Sequence, residues 1–340
     1  MRIPYRTARV LKRVGVVLLV VLLALAVVLL CWFMWLQRFV VYTRDQGAKL
    51  DLSLNQSFLG LQAAVPPESS EPVEIYYNEG ENAINVSKDL TQITGYYADQ
   101  DALEESIETV LTQVKALPRE AAVMVDVKSP KGSFFYSSAV SEKRNSDIDT
   151  AQMDALIEYL DDKNYYAIAR LPALRDYEYG LNHVSDGLAT SGGFLWADDD
   201  YCYWLDPTKQ GTVTYLLQII DELKSLGFDE VVLDAFHFPL TDSIVFSADR
   251  NEALKTAAQT LVSAGSDSAF TVSFVGQDAS FPLPEGRTRL YLLGASAAEA
   301  AKVAAETGIA DPSIHLCFLT EVHDTRFDAY CVLRPLDAAH

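Results

Sequence analysis

Strand-like and helix-like patterns alternate between residues 91 and 336. Short apolar runs, typical of buried parallel strands, occur at 93–98, 121–127, 165–171, 230–235 and 270–275. Between these runs, apolar residues recur every three or four positions, which is the spacing of one helix face. The clearest set is Leu103, Ile107, Val110 and Val114. This alternation predicts a parallel sheet covered by helices.

The second half of this region shows a weaker pattern. Further apolar runs at 290–293, 314–319 and 330–333 bring the predicted strands to eight. The region has roughly the length of a TIM-type (β/α)8 barrel, the α/β fold class that we predict. Residues 276–288 have no helical period, and fewer than a dozen residues join the last two strands, although a parallel crossover normally needs a dozen or more. We therefore expect a barrel that is irregular or incomplete in its C-terminal half.

An uncharged apolar segment, residues 14–37, precedes the barrel region. It is longer than the roughly 20 residues that a helix needs to cross a bilayer. Five basic residues and no acidic residue come before it, so the positive-inside rule predicts a cytoplasmic N-terminus. A cleaved signal peptide is disfavoured because bulky Phe33, Met34 and Trp35 occupy the place of a small-residue cleavage site. A lipid anchor at Cys31 is disfavoured because Leu30 precedes it. One transmembrane helix is the prediction.

The predicted organisation has four parts. A cytoplasmic basic tail (1–13) leads to the transmembrane helix (14–37), then to a stalk with a Pro/Glu/Ser linker (38–90), and then to the barrel (91–336). From residue 44 onward, 21 basic residues stand against 47 acidic ones, a net charge of about −26. This charge disfavours nucleic acid and anionic lipid headgroups as partners of the extracytoplasmic part.

Polar side chains stand where several predicted strands end, and strand ends form the catalytic face of an α/β barrel. They are Asp126, Arg170, Asp234, His237, Asp278 and Glu321. Cleavage of a glycosidic bond needs two carboxyl groups, one protonated and one ionised, roughly 5 to 9.5 Å apart. Asp234 is the strongest candidate, because a charge directly after a buried strand is costly unless it is paired or used. The catalytic candidates are Asp234, Glu321, Asp126 and Asp278.

The long segment after the third predicted strand is rich in aromatic and acidic residues. Trp196 and Trp204 are candidates for stacking on sugar rings, since loops at the catalytic face collect substrate contacts. The same rings could instead fold inward as the private core of the loop. The sequence leaves both interpretations open.

The sequence lacks the motifs of disulfide-rich, metal-binding, serine-hydrolase and phosphate-binding proteins. The cysteines beyond the apolar segment are Cys202, Cys317 and Cys331, an odd number without paired spacing, so no disulfide framework is predicted. Metal-ligand spacings, a G-x-S-x-G nucleophile elbow and glycine-rich phosphate loops are also missing from the sequence. We therefore predict a protein without a metal or a cofactor.

Five blocks along residues 95–239 resemble a bacterial family known as the "putative glycoside hydrolase" domain, a TIM-barrel group often attached to an envelope anchor. The blocks are GYYA (95–98), VMVDVKSPKG (123–132), YAIARLPALRD (166–176), WLDP (204–207) and LGFDEVVLDAFHFP (226–239). The resemblance implies the fold and the reaction class of that family. The residues that fall on its motif positions are Asp126, Arg170, Asp176, Asp206 and Asp234.

The chain departs from the family pattern at two positions beside Asp234. Where members typically read FDYVRFP, this chain reads LDAFHFP, so Ala235 replaces an aromatic residue and His237 replaces an arginine. These departures keep two functional hypotheses open, one with catalysis and one without it.

In the first hypothesis, the protein is a membrane-anchored extracytoplasmic glycoside hydrolase that acts on cell-wall or envelope polysaccharide. Asp234 is then the nucleophile or stabilising carboxylate, and Glu321 is the general acid, kept protonated by a drier setting. The predicted substrate contacts are Arg170, Asp176, Trp196, Trp204, Asp206 and His237. In the second hypothesis, the barrel has lost catalysis and binds glycan, or serves as a scaffold, in an envelope complex.

Overall fold

The structure, a computed structural model, describes residues 40–43, 47–50, 90–321 and 323–339. The predicted cytoplasmic tail and transmembrane helix (14–37) and most of the predicted stalk lie outside these ranges. Within the described ranges, no helix is both long and apolar enough to cross a membrane. The chain divides into two units, Met1–Glu79 and Gly80–His340. In the first, Val40–Thr43 and Gly47–Leu50 pair as a two-stranded antiparallel sheet.

The second unit is built on eight parallel strands that close into a barrel. In chain order they are β1 (Thr94–Ala98), β2 (Ala122–Asp126), β3 (Tyr166–Pro172), β4 (Glu230–Asp234), β5 (Thr271–Gly276), β6 (Leu290–Leu293), β7 (Leu316–Leu319) and β8 (Cys331–Pro335). Each strand pairs with its neighbour in sequence, and β8 pairs with β1 through Val332 opposite Thr94. The predicted TIM-type barrel is confirmed, and the prediction that it could be incomplete is wrong.

Helices cover the outside of the barrel, and the long ones lie in its first half. The helices are α1 (Gln100–Ala116), α2 (Thr150–Asp162), α3 (Tyr177–Asn182), α4 (Gln210–Ser225), α5 (Arg250–Gly265), α6 (Ala300–Glu306) and α7 (Pro312–His315). Aspartates start several of them, because an N-cap side chain satisfies a free N–H group of the first turn. Asp99 accepts from Ala102 N, and Asp249 accepts from Glu252 N.

The C-terminal half of the barrel is irregular, as the sequence predicts. The described chain forms no helix between β5 and β6, and α6 and α7 have only seven and four residues. Eleven residues join β7 to β8, with a single 3-10 turn at Thr325–Phe327. Within this turn, buried Phe327 packs its ring on Phe318 of β7, with centroids 5.2 Å apart, and so covers the strand where a helix would otherwise lie.

Three buried hydrophobic clusters pack against the barrel wall. The inner core includes Met124, Ile168 and Val232. The outer core, which packs on the helices, includes Val125, Ala169 and Leu233, and a smaller outer cluster in the C-terminal half includes Leu292, Phe318 and Phe327. Successive side chains of a strand point to opposite faces. A residue two positions after an inner-core residue therefore also points into the barrel. At the C-terminal ends of these strands, such residues face the barrel interior.

Candidate functional site

Three polar side chains from consecutive strands meet at the C-terminal end of the barrel. They are Asp126 of β2, Arg170 of β3 and Asp234 of β4, each two positions after an inner-core residue. Asp126 stands opposite Arg170 in the sheet, and Asp234 stands opposite Pro172, two residues beyond Arg170. The sequence prediction that these groups share one end of the barrel is confirmed.

Asp126 and Arg170 form a bidentate ion pair. The Arg170 Nε lies 2.6 Å from Asp126 Oδ1, and Nη2 lies 2.9 Å from Oδ2. The backbone N–H of Gln100 also donates to Oδ2, at 2.8 Å. Burial raises the pKa of Asp126, whereas these donors oppose the rise. Burial outweighs the donors, so the pKa of Asp126 stays above its usual value. Because the three donors occupy both carboxyl oxygens, we assign Asp126 a positioning role.

Asp234 has a different environment. It is half-buried, and its Oδ1 accepts a hydrogen bond of 2.6 Å from the next backbone N–H, that of Ala235. Its Oδ2 has no hydrogen-bond partner in the described part of the chain. The charge of Asp234 helps to raise the pKa of both Asp126 and Arg170, which shows that the three groups form one electrostatic unit. Asp234 is the carboxylate in this unit that can still bind a ligand.

Ala235 turns the chain sharply after Asp234. Its φ is +48°, in the left-handed region that side chains other than glycine seldom adopt. Such strain persists where the surrounding structure imposes it, often at functional sites. The sequence departure at Ala235 therefore coincides with a strained turn beside the candidate carboxylate.

Tyr97, which our sequence reasoning did not select, completes the site. It faces the interior from β1, and the Arg170 guanidinium lies 6.0 Å from its ring centroid. Burial raises the pKa of Tyr97, and the nearby carboxylates of Asp99 and Glu321 raise it further. The period of two in a strand could have identified Tyr97, since it lies four residues after Ile93 and therefore points to the same side, the barrel interior.

Glu321 and Asp278 were predicted as partners of Asp234. Glu321 follows β7 and lies near enough to Tyr97 to act on its phenol, but its side chain is exposed, so the expected drier setting is wrong. Asp278 is exposed and accepts from the backbone and hydroxyl of Ser280, which lowers its pKa. A general acid needs a raised pKa, so the prediction of Asp278 as a catalytic residue is corrected.

Two predicted substrate contacts are buried and structural. Asp176 is fully buried, forms an ion pair of 2.7 Å with Lys128, caps α3 through Tyr179 N and accepts from the Tyr215 hydroxyl. Asp206 is also buried, and its Oδ1 accepts from Thr208 N and Oγ1. Neither carboxylate can reach a substrate, because each is enclosed with its own donors.

The predicted aromatic platforms fold inward. Trp204 is buried and donates from Nε1 to Asp198 Oδ2 at 2.9 Å. Trp196 is half-buried against the outer core. His237 packs on Trp204, with ring centroids 5.0 Å apart, and its Nδ1 lies 3.1 Å from the Phe238 carbonyl oxygen. The loop-core interpretation therefore holds for Trp204, and the prediction that it stacks on sugar is wrong.

A cavity of about 820 Å³ opens beside the Asp126 pair, on the same face of the barrel. It is lined by residues that follow β1, β2 and β3, among them Gln100, Pro130 and Arg175. The four predicted catalytic carboxylates are not among its lining residues. In the described part of the chain, no three His, Cys, Asp or Glu side chains group as metal ligands.

One protein-family model matches the chain. The family is described as "Putative glycosyl hydrolase domain", and the match covers residues 93–269. The matched region contains Tyr97, Asp126, Arg170 and Asp234 and ends before β5, so Glu321 lies outside it. No curated protein sequence matches the chain.

Solved structures share the barrel. An α-galactosidase from Thermus thermophilus matches with a TM-score of 0.50 and 12% identity, over 72% of this chain and 58% of that chain. A GH36 α-galactosidase from Geobacillus stearothermophilus matches with a TM-score of 0.51 and 11% identity, over 73% and 39%. A hypothetical protein from Ruminiclostridium thermocellum matches with a TM-score of 0.45 and 20% identity, over 52% and 96%. The chain thus spans less than two thirds of either galactosidase, and these two likenesses show the fold.

Proposed function

Because the chain belongs to the family described as "Putative glycosyl hydrolase domain", we propose that it hydrolyses glycosidic bonds at the barrel end where Asp126, Arg170 and Asp234 meet. The observation that carries this proposal is the division of roles between the two aspartates. Arg170 and Gln100 occupy both oxygens of Asp126, whereas Asp234 keeps one oxygen without a partner among the described residues. One carboxylate is fixed in place and the other can act on a substrate.

In the proposed mechanism, Asp234 acts in its ionised form on the anomeric carbon, as nucleophile or as stabilising charge. Glu321 donates a proton to the glycosidic oxygen as the bond between that oxygen and the anomeric carbon breaks. Water then supplies the hydroxyl group of the new reducing end. The Asp126–Arg170 pair holds the positive charge of Arg170 near Asp234.

Replacement of Asp234 tests this proposal. Asp234→Asn keeps the shape of the side chain but removes its charge, so we expect the release of reducing ends from purified wall glycan to fall at least about 100-fold. Asp278→Asn is the matched control, since Asp278 is exposed and bonds only within its own turn. Equal activity of wild type and Asp234→Asn would overturn the proposal.

The proposed substrate is cell-wall or envelope polysaccharide. The support comes from the sequence, in which an uncharged segment at 14–37 precedes an acidic stalk and barrel. A tethered barrel reaches only targets near the membrane surface. Fractionation of cells that express the full-length chain should recover it with membranes, and an internal deletion of residues 14–37 should release it. Recovery of the intact chain in the soluble fraction would contradict the anchor.

A second candidate function is glycan binding without catalysis. The exposure of Glu321 favours it, because a general acid usually owes its raised pKa to a dry setting. This function predicts that the wild-type chain binds wall glycan but releases no reducing ends. The Asp234 assay, run beside a sedimentation assay for glycan binding, separates the two functions.

A further inference from the structure

The connection between β3 and α4 contains two hairpins of the same construction. In the first, Thr190 N donates to Phe194 O at 2.8 Å and Gly193 N donates back to Thr190 O at 2.9 Å. In the second, Asp198 N donates to Cys202 O at 3.0 Å and Tyr201 N donates back to Asp198 O at 2.9 Å. Each is a three-residue loop whose last residue has positive φ. Tyr201 therefore stands where the other hairpin has a glycine.

This position is unusual for a tyrosine. The φ of Gly193 is +78° and that of Tyr201 is +60°, a region that glycine adopts freely and a bulky side chain adopts at a cost. The tyrosine also gains no burial in return, since it is 77% exposed. Neither local conformation nor core packing explains its presence, which points to a role in contact with a ligand.

Side-chain contacts hold the hairpin backbone on both sides of Tyr201. Arg175 donates from Nε to Asp198 and from Nη2 to Asp200, both at 2.6 Å. Asp198 also accepts from Trp204 Nε1, and Lys131 donates to the Asp200 carbonyl. A backbone fixed before binding presents the ring at a defined place and lowers the entropy cost of contact with a ligand.

Tyr201 lines the cavity of about 820 Å³ beside the candidate active site. Uncharged hydrogen-bonding residues on the same lining are Gln100, Ser129, Ser133, Asn145 and Ser146. The lining also carries five acidic and four basic side chains, of which Arg175 and Asp200 are paired with each other. An exposed aromatic ring beside neutral polar groups suits the apolar face and the hydroxyls of an uncharged sugar, whereas a lining without net positive charge offers little attraction to an anionic glycan.

We propose that this cavity is a glycan-binding subsite for uncharged sugar units, with the Tyr201 ring as its stacking platform. The subsite rests on the proposed function, since Gln100 joins it to the active site: its side chain lines the cavity while its backbone N–H binds Asp126. A chain bound there extends from the catalytic centre over the loops that follow β1, β2 and β3.

Binding to the full-length Asp234→Asn chain in detergent tests the subsite without turnover. The uncharged probes are maltohexaose, cellohexaose, N-acetylated chitohexaose and stachyose, and the anionic probe is hexagalacturonate. We expect calorimetry to detect at least one uncharged probe and to show roughly tenfold weaker binding when Tyr201→Gly is added. Tyr201→Phe keeps the ring and should bind within about twofold of its parent. Phe194→Ala, which removes an equally exposed ring outside the cavity, should leave binding unchanged.

Thermal unfolding separates a binding role from a structural one. Tyr201→Gly places the favoured residue in the left-handed position, so its Tm should equal or exceed that of its parent while glycan binding weakens roughly tenfold. The subsite is overturned if no uncharged probe binds, if Tyr201→Gly binds as tightly as its parent, or if hexagalacturonate is the preferred probe. Hydrolysis without any dependence on Tyr201 would overturn the subsite alone, whereas Tyr201-dependent binding by a wild-type chain that cleaves nothing would overturn the hydrolase proposal alone.

Discussion

Asp126 and Asp234 end two strands separated only by β3, yet their surroundings differ. Asp126 accepts three N–H donors, and Asp234 accepts one from its own turn. When two carboxyl groups in one site have unlike environments, their roles in acid–base chemistry also differ. The structure thus suits Asp126 to positioning and Asp234 to contact with the substrate, which leaves the proton donor to be tested.

Glu321→Gln identifies the proton donor through the leaving group. A glycan with a sugar leaving group needs protonation of the glycosidic oxygen, so we expect its hydrolysis to fall about 100- to 10,000-fold. A p-nitrophenyl glycoside of the same sugar has a stable anionic leaving group, and its hydrolysis should fall far less. The two kcat/KM ratios, measured on one preparation, check this prediction. An equal fall for both substrates, or no fall for either, would rule out Glu321 as the acid.

Strand-end position correctly placed Asp126, Arg170 and Asp234 at one end of the barrel, because the strand pattern determines which end they occupy. The family resemblance also pointed to Asp176 and Asp206 as substrate contacts, but the structure encloses both. Whether a carboxylate is enclosed depends on distant donors, such as Lys128 and Tyr215 for Asp176. A single sequence does not show such tertiary contacts.

At the scale of elements, the hairpin that carries Tyr201 depends on the ionised form of Asp198. Burial would raise the pKa of Asp198, but hydrogen bonds from Arg175, Cys202 N and Trp204 lower it to about 2. A pKa depressed on folding contributes stability that is complete above the unfolded value near 4 and is lost as the pH falls through the folded value. The hairpin should therefore weaken between about pH 4 and pH 2.

Asp198→Asn removes this contribution. We expect the variant to be less stable than wild type by roughly 1 kcal/mol at pH 6, since solvent screens part of the interaction, and the difference should shrink below pH 4 and vanish near pH 2. Chemical denaturation at a series of pH values measures it. Asp199→Asn, a change at the exposed neighbour, is the control and should show no such trend. A stability difference for Asp198→Asn that does not change with pH would contradict the assignment.

The opposite end of the barrel holds a buried polar network. Glu230 at the start of β4 forms an ion pair with Arg289, and both are fully buried. Glu230 also accepts from the hydroxyls of Tyr166, Ser273 and Tyr291. At the N-terminal face of a TIM barrel, such groups serve stability.

Glu230→Ala should destabilise the barrel by about 3 to 5 kcal/mol, because it leaves the Arg289 charge buried without its partner. Urea denaturation measures the loss. Glu306→Ala breaks the exposed Lys302–Glu306 pair and should change stability by less than roughly 0.5 kcal/mol. A loss below about 1 kcal/mol for Glu230→Ala would show that the network contributes little.

The local pattern of apolar residues predicted the barrel strands well. All eight predicted strands lie within two residues of the observed ones, since each is a short, mostly apolar run. The closure of the barrel was harder to predict, because the β7–β8 crossover uses one buried aromatic, Phe327, in place of a helix. A single buried aromatic residue produces no periodic pattern in the sequence, so this crossover could not be predicted from periodicity.

Across the whole molecule, the barrel separates stability from chemistry. Its N-terminal end carries the Glu230–Arg289 network, and its C-terminal end carries the Asp126–Arg170 pair, Asp234 and the adjacent cavity. Side chains at one end can then change without loss of the fold. This division is the common organisation of α/β barrel enzymes, and it leaves hydrolysis at Asp234 as the central claim.

Incubation of purified wall glycan with the full-length chain in water enriched in oxygen-18 tests that claim most directly. Mass spectrometry of the products at early times, before spontaneous exchange at the anomeric carbon, follows the oxygen that water supplies. We predict new reducing ends that carry one oxygen-18 atom with the wild type, and at least about 100-fold fewer with Asp234→Asn. No new reducing ends from the wild type, ends without the label, or equal release by both proteins would contradict hydrolysis at Asp234.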